Sequence, residues 1–432
     1  MNYIKSVSNI TWLLLFSACC LALVWFVSSF QMLSSNIYSE LIHNDININP
    51  YLDFSKGVVA SIVFSLFFLK NRTYLFLWFI KAFVTLFLLI PYEFYYGLDS
   101  FTYFHWAVNF DLDLIFKYWG EGSSTSRLIT FIHYLTFIFG DSYYTIKLFF
   151  SLLSFFGLLI FYKIYIYVLF KNKINTQYND NFIYVLILFP SVIFWSSGIG
   201  KDSLNLLFSA IFIYAFIRLI DKFLTRYLLL IILSMVAMFY LRFWWVAIMT
   251  FSMIFYYMIY SSFKSWGLLI LLLPILYFSF QHIMEMRGLS LLSDIFQEMT
   301  DVSKEMAEYG NSSINPIIIR DIFDYMLLYV PNSFTAIFRP MVWDVKNLFS
   351  LVASIENTAL LFLSVKYVVF RFAHIYRIKH VMFLLVFIIS WTIPYSIISS
   401  GNLGAAVRFK LQILPLILII IGVFRHNRMR LT

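Results

Sequence analysis

Residues 227–260 read YLLLIILSMVAMFYLRFWWVAIMTFSMIFYYMIY, two apolar runs parted by a single charge, Arg242. Together they are too long for one helical crossing of a bilayer core, which takes ~20 apolar residues. Divided at Arg242 they become two crossings with almost no loop between them, a hairpin. That choice reaches beyond these residues, because one crossing more or fewer inverts the side on which every later segment lies. Working outward from the hairpin, apolar runs recur at about 9–32, 57–70, 73–91, 144–169, 182–198, 203–219, 227–241, 243–260, 266–280, 350–370, 381–399 and 410–424, many of them near the ~20 residues a crossing needs. The sequence therefore predicts an all-α, polytopic integral membrane protein of about 12 transmembrane helices, with residues 1–432 as a single membrane domain. The polar stretches 92–126 and 281–348 are its two larger external segments. Residues 127–139 and 321–337 are too short to cross and read as re-entrant or interfacial.

Orientation follows from the basic residues. With the N-terminus in the cytoplasm, the inside segments are Lys70 to Arg72, Lys171 to Lys173, Arg218 to Arg226, Lys264, Arg371 to Lys379 and the Arg425, Arg428, Arg430 tail. All are short and basic, as inside loops are. Of the 22 acidic residues only Asp180 and Asp221 then fall inside, which leaves 20 outside or within the membrane. The opposite orientation exports nearly every basic loop.

Composition narrows the classes further. The chain is 62% hydrophobic and 12% charged over 432 residues, well beyond a soluble domain. Its formal charge of +9 comes from the inside loops and suits anionic lipid headgroups. With no soluble basic module, nucleic acid is not an expected partner. Cys19 and Cys20 are adjacent in the first run, which supports neither a disulfide nor a thiolate metal site. No internal repeat, Gly-rich phosphate loop or HExxH motif is present, so no metal ligands are assigned. The 51 Phe and 30 Tyr mostly supply lipid-facing bulk and interfacial belts, and those at the outer edge also suit stacking on sugar rings.

Ionisable groups at membrane depth are costly and point to function. Five positions recur at the outer ends of spans. Asp99 lies among aromatics in YEFYYGLDSFTYFHWA (92–107), with Tyr103 and His105 following; it is a candidate general base or else the cap of a helix starting at Ser100. Lys201 and Asp202 follow Gly198-Ile199-Gly200 between two runs, either a broken helix presenting N–H groups to an anion or a tight self-neutralised turn. Arg242 either snorkels or grips phosphate through its planar fork. Arg339 opens the segment leading to Glu356, which sits inside its span and needs a partner; Arg242, Arg408 and Lys410 are the candidates, and the alternative reading is a structural ion pair. Arg408 and Lys410 follow Gly401-Asn402-Leu403-Gly404, an anion-binding turn by its composition.

Asp99-Ser100-x-x-Tyr103 followed by Ala107 resembles the first-loop Asp motif of GT-C glycosyltransferases, which use polyprenyl-linked sugars. Pro190-x-x-x-Phe194 with Lys201-Asp202-x-Leu204 is similar to a later segment in part of that group. The resemblance implies that Asp99 is the catalytic base or a metal-associated carboxylate, so a divalent cation is the cofactor it admits. Here the motif follows the third run rather than the first, and a second acid is not adjacent; Asp111 and Asp113 are the candidates for it. The whole-chain layout resembles O-antigen polymerases: similar length, about twelve spans, cytoplasmic ends and external loops with functional Arg. The 338–357 block and Gly401 to Arg408 also resemble segments of exopolysaccharide-cluster membrane proteins.

The implied function is glycosyl transfer at the outer face of the bacterial inner membrane, from a polyprenyl phosphate or pyrophosphate donor. Polymerisation of O-antigen or exopolysaccharide repeat units is the first expectation and transfer of a single sugar the second. Asp99 is then catalytic, and Tyr103, His105, Lys201, Asp202, Arg242, Arg339, Glu356, Arg408 and Lys410 bind substrate. Expected partners are the lipid-linked donor and acceptor, membrane lipids, a chain-length regulator and a flippase. Lys81 and Lys147, both inside apolar runs, keep a transporter or flippase as a reading of a different class.

Overall fold

The computed structural model describes residues 50–427 apart from 97–98, 175–180, 261–265, 287, 290–291, 309–311 and 372–376. The expected first span at 9–32, Cys19, Cys20, Asp180, Lys264, Arg428 and Arg430 lie outside the described residues. Within them the chain is all-helical, and its β character is limited to an isolated bridge between Ser313 and Asn402.

In chain order the helices are α1 (Pro50–Ser65), α2 (Arg72–Phe83), α3 (Leu89–Tyr96), α4 (Asp99–Asn109), α5 (Leu112–Trp119), α6 (Ser124–Phe139), α7 (Tyr143–Lys171), α8 (Phe182–Leu188), α9 (Pro190–Trp195) and α10 (Lys201–Asp221). They continue as α11 (Thr225–Arg242), α12 (Trp244–Tyr260), α13 (Trp266–Met286), α14 (Leu292–Glu308), α15 (Ile322–Phe338), α16 (Leu348–Tyr367), α17 (Lys379–Ile398), α18 (Leu403–Lys410) and α19 (Leu414–Asn427).

Five of the described helices, α7, α10, α11, α16 and α17, are long and apolar enough to cross a membrane, and α18 with α19 makes a sixth if the pair, bent by 61°, is one span. Of the other expected runs that are described, 243–260 and 266–280 are single helices, α12 and α13, and 73–91 and 182–198 are interrupted. Residues 73–91 pass through a π-turn at Val84–Leu88 between α2 and α3. The run at 182–198 is two short helices rather than one. Its break is written in Pro190, which lacks an N–H and drives the preceding residue out of helical geometry; Phe189 sits at φ −57°, ψ 125°. The 227–260 stretch divides at Phe243 into α11 and α12, of 18 and 17 residues, as the lone Arg242 suggested.

Packing divides the chain into two compact units: residues up to Phe156 with Ile193–Leu207, and Gly157–Val192 with Phe208 onward. In the first, α1 lies against α2, with the Trp78 indole donating to the Ser61 carbonyl at 2.9 Å. Gly57 permits close approach to α7, since a Cβ there would stand 2.6 Å from the Tyr144 Cβ. Asp53 reaches the start of α7 and accepts the Tyr143 N–H at 3.2 Å. Lys147, Ser151 and Ser154, spaced i, i+4, i+7, form one buried polar stripe on α7.

In the second unit, α12 packs on α11, α13 and α17, while α15 packs on α17, α18 and α16. Asp221 staples the ends of three helices: it accepts from Lys379 at 2.7 Å, Tyr167 at 2.6 Å and His380 at 3.0 Å, with Lys171 at 3.6 Å. An acid among basic loop residues would otherwise be an odd choice at this place in the chain.

Candidate functional site

In the first unit the helix break between α9 and α10 is built around one carbonyl. The Ser196 oxygen accepts from Lys81 Nζ at 3.2 Å, Ser154 Oγ at 2.5 Å and Ser203 Oγ at 3.2 Å. These side chains replace the backbone donors that a continuous helix supplies. The fully buried Lys81 also donates to the hydroxyls of Ser196 at 2.5 Å and Ser197 at 3.3 Å, so its three N–H groups all meet neutral oxygens. Ser203 Oγ holds the Gly198 carbonyl at 2.9 Å, and Ser100 Oγ holds that of Ile199 at 3.0 Å.

The Ser100 bond brings the helix that begins at Asp99 beside the turn that ends at Lys201 and Asp202, two motifs nearly a hundred residues apart. Asp99 is exposed as the first residue of α4, while Asp202 is buried. Lys201 donates to Ser124 Oγ and Thr125 Oγ1, both at 2.9 Å, and so ties the turn to the start of α6. Tyr103 is buried, and the His105 ring meets the Asn109 amide at 2.9 Å. Asp111 caps α5 by accepting the Leu114 N–H at 2.9 Å, which occupies one of the two candidates for a second acid; Asp113 is exposed.

The buried charge most firmly built into this unit is Glu93, which the sequence reading passed over. Its Oε2 accepts from Lys147 and from the Tyr143 hydroxyl at 2.9 Å, and all three side chains are fully excluded from solvent. Tyr143 in turn stacks on Phe101 of α4, with centroids 4.6 Å apart and planes at 15°. The other carboxylate oxygen, Oε1, has no hydrogen-bond partner and lies near Gly198. The sequence signal for the partner of Lys147 is an acid at the end of an earlier apolar run.

The second unit answers the question that Glu356 posed. Its partner is Lys410, with Nζ 3.5 Å from Oε1, and both side chains are essentially excluded from solvent. Oε2 accepts the Ser191 N–H at 2.7 Å. Lys410 also donates to the side-chain oxygen of Asn357, whose amide nitrogen donates to the Pro340 carbonyl at 3.0 Å. Four segments, α9, α16, α18 and the 339–341 strand of loop, thus meet at one acid, one amide and one lysine.

Arg242 is buried, with its guanidinium 5.9 Å from the Phe409 ring centre, and Phe409 stands between Arg408 and Lys410. Arg408 is half-buried on α18. Beyond Arg242, Trp244 and Trp245 both donate to the Tyr395 hydroxyl, at 3.3 and 3.1 Å. Arg339 spends its fork on Asp344, with bonds of 3.0 and 2.6 Å. That guanidinium holds the Asp344 carboxyl below the usual carboxylate range, and Asp344 raises Arg339 in return. The Gly401–Gly404 turn is packed rather than open: a Cβ on Gly401 would fall 2.3 Å from the Ser303 carbonyl, and the Asn402 side chain caps α18 while accepting from Ser312 at 2.7 Å.

No family model, curated protein or solved structure matches this chain. The resemblance to polysaccharide-assembly enzymes therefore rests on its motifs and layout alone. Among the described residues no group of three or more His, Cys, Asp or Glu side chains is placed to hold a metal ion.

Proposed function

We propose that this protein transfers glycosyl groups at the outer face of the bacterial inner membrane from a polyprenyl phosphate- or pyrophosphate-linked donor, polymerising O-antigen or exopolysaccharide repeat units. The proposal includes about twelve spans, both termini in the cytoplasm, and the 92–126 and 281–348 segments outside. The observation that carries it is the buried cluster of Glu356 and Asn357 on α16 with Lys410 on α18, and the buried Arg242 beside the Phe409 ring, in a chain rich in apolar helices. Such groups are costly at membrane depth and are kept where a charged ligand is handled. In this reading Arg242, Arg408 and Lys410 meet the donor phosphates, and Glu356 neutralises part of the site between turnovers. Asp99, exposed at the start of α4 in the first unit, is the proton acceptor this reading assigns for the sugar hydroxyl, and the polyprenyl phosphate is the leaving group.

A second reading has its own observation. Lys81 and the Glu93–Lys147 pair are fully buried on helices of the first unit, as in proteins that move ions or charged lipids through the membrane. The glycan banding pattern of a deletion strain separates the cases. Loss of the ladder with single repeat units retained supports polymerisation, and units lacking one sugar support single-sugar transfer. Lipid-linked units trapped on the cytoplasmic leaflet support a flippase, and an unchanged pattern removes all three.

A further inference from the structure

We infer that Trp106, Tyr118 and Trp119 of the first unit form a carbohydrate-binding platform that seats a pyranose ring of the glycan. The inference rests on the reading of the chain as a glycan-handling enzyme and assigns a subsite that reading does not contain. The Trp106 ring lies between two others, stacked on Phe110 at 4.3 Å and 30° and on Tyr118 at 4.5 Å and 26°. Trp119 meets it edge-on at 5.9 Å and 83°. Tyr118 ends the stack and is 70% exposed. A ring packed on one side and open on the other is poorly explained as core.

Aromatic faces carry negative charge and attract the slightly positive C–H groups of a flat apolar surface. One face of a pyranose is such a surface, and its hydroxyls then project from the rim. The rim here is polar. Asp111, Asp113 and Glu121 are exposed around the platform, against one exposed base, Lys117. The same rings would suit an interfacial anchor, and the vesicle comparison below separates the two. The platform also begins on α4, the helix headed by Asp99 and held by the Ser100 and Phe101 contacts described above.

The test uses full-length protein in detergent and, as probe, the glycan released by mild acid from the strain's own lipid-linked polysaccharide, labelled at its reducing end and followed by fluorescence anisotropy. Tyr118→Phe keeps the ring and should bind as wild type, whereas Tyr118→Ala should bind about 10-fold more weakly, the scale of one lost aromatic contact. Because Tyr118 is exposed, both variants should elute as the wild type does on size exclusion. Equal binding by wild type and Tyr118→Ala overturns the platform. So does a Tyr118→Ala variant that binds glycan normally but loses affinity for anionic vesicles, which is the anchor's signature. If wild type binds no glycan while the deletion strain has an altered ladder, the platform falls and the proposed function stands. If neither effect is seen, both fall.

Discussion

Removing one side of the Glu356–Lys410 pair should damage the protein more than removing both. Lys410→Met leaves a carboxylate that is 2% exposed with a single N–H, from Ser191, as its hydrogen-bond donor. Glu356→Gln leaves a fully buried ammonium with Asn357 as its acceptor. Stranding one member of a buried pair costs about 3–5 kcal/mol, much of it the desolvation of the survivor. At roughly 1 °C per kcal/mol for a chain of 432 residues, each single variant should melt about 3–5 °C lower. The double variant, Glu356→Gln with Lys410→Met, buries no charge and should recover most of that loss, so the two single penalties should be strongly non-additive. Fluorescence-detected size exclusion after a heat series reads all four proteins on one scale. Single variants that melt with the wild type would show that the pair is not internal, and the geometry argued above would be refuted. The double variant's activity then separates the two roles. A folded and inactive double variant keeps Glu356 and Lys410 in substrate handling; a folded and active one reduces them to structure.

Four further outcomes follow from particular residues. Asp99→Asn should fold normally, being exposed, and lose about 100-fold or more in transfer rate, the usual worth of a general base; a normal rate returns Asp99 to a helix-capping role. Arg408→Lys preserves charge but not the planar fork, so it should bind donor markedly less well than wild type, and wild-type affinity in that variant removes bidentate recognition. Single cysteines at Asp301 or Lys304, both exposed, should label from outside intact cells, and one at Lys222 should not; the reverse pattern sinks the orientation. The Arg339–Asp344 bridge should weaken in acid: Asp344 titrates below its unfolded value, so its contribution is complete above about pH 4 and fades as pH falls through the lowered value. Asp344→Asn should abolish that part of the acid dependence of melting, and an unchanged acid limb counts against the bridge.

What could be read from the chain was the cost of its charges rather than their partners. Glu356 inside an apolar run demanded a cation, and the three candidates included Lys410. Choosing among them needs the rotation of α18 relative to α16, which no local pattern carries over more than fifty residues. Gly198, Gly200 and the Lys201-Asp202 pair announced a helix break, yet its main support, Lys81, was legible only as a misplaced charge. The run at 182–198 is two short helices rather than one for a local reason that the sequence carries: Pro190 restricts Phe189, and the helix ends there. Glu93 was missed because the outer boundary of its run was drawn just before it, which made a fully buried acid look like the start of a loop.

Three lysines, Lys81, Lys147 and Lys410, are fully buried among the described residues, and they are satisfied in different ways. Lys147 meets Glu93, and Lys410 meets Glu356 with Asn357, so each of those ammonium groups stands beside an opposite charge. Lys81 meets hydroxyls and a carbonyl, with no carboxylate within 4 Å among the described residues. A cage of neutral oxygens solvates an ammonium without cancelling it. The positive potential it leaves lies under the turn from Ser196 to Lys201, where the N-terminus of the 21-residue α10 adds its own. That potential already meets acids at the turn: Asp202 is buried in the first turn of α10, and Glu93 Oε1 lies near Gly198. The hydroxyls around this turn divide the work: Ser154 and Ser203 donate to the Ser196 carbonyl freed by the helix break, and those of Ser196 and Ser197 accept from Lys81. Lys81 is the third donor to that carbonyl, so the turn and the lysine satisfy each other's buried polar groups.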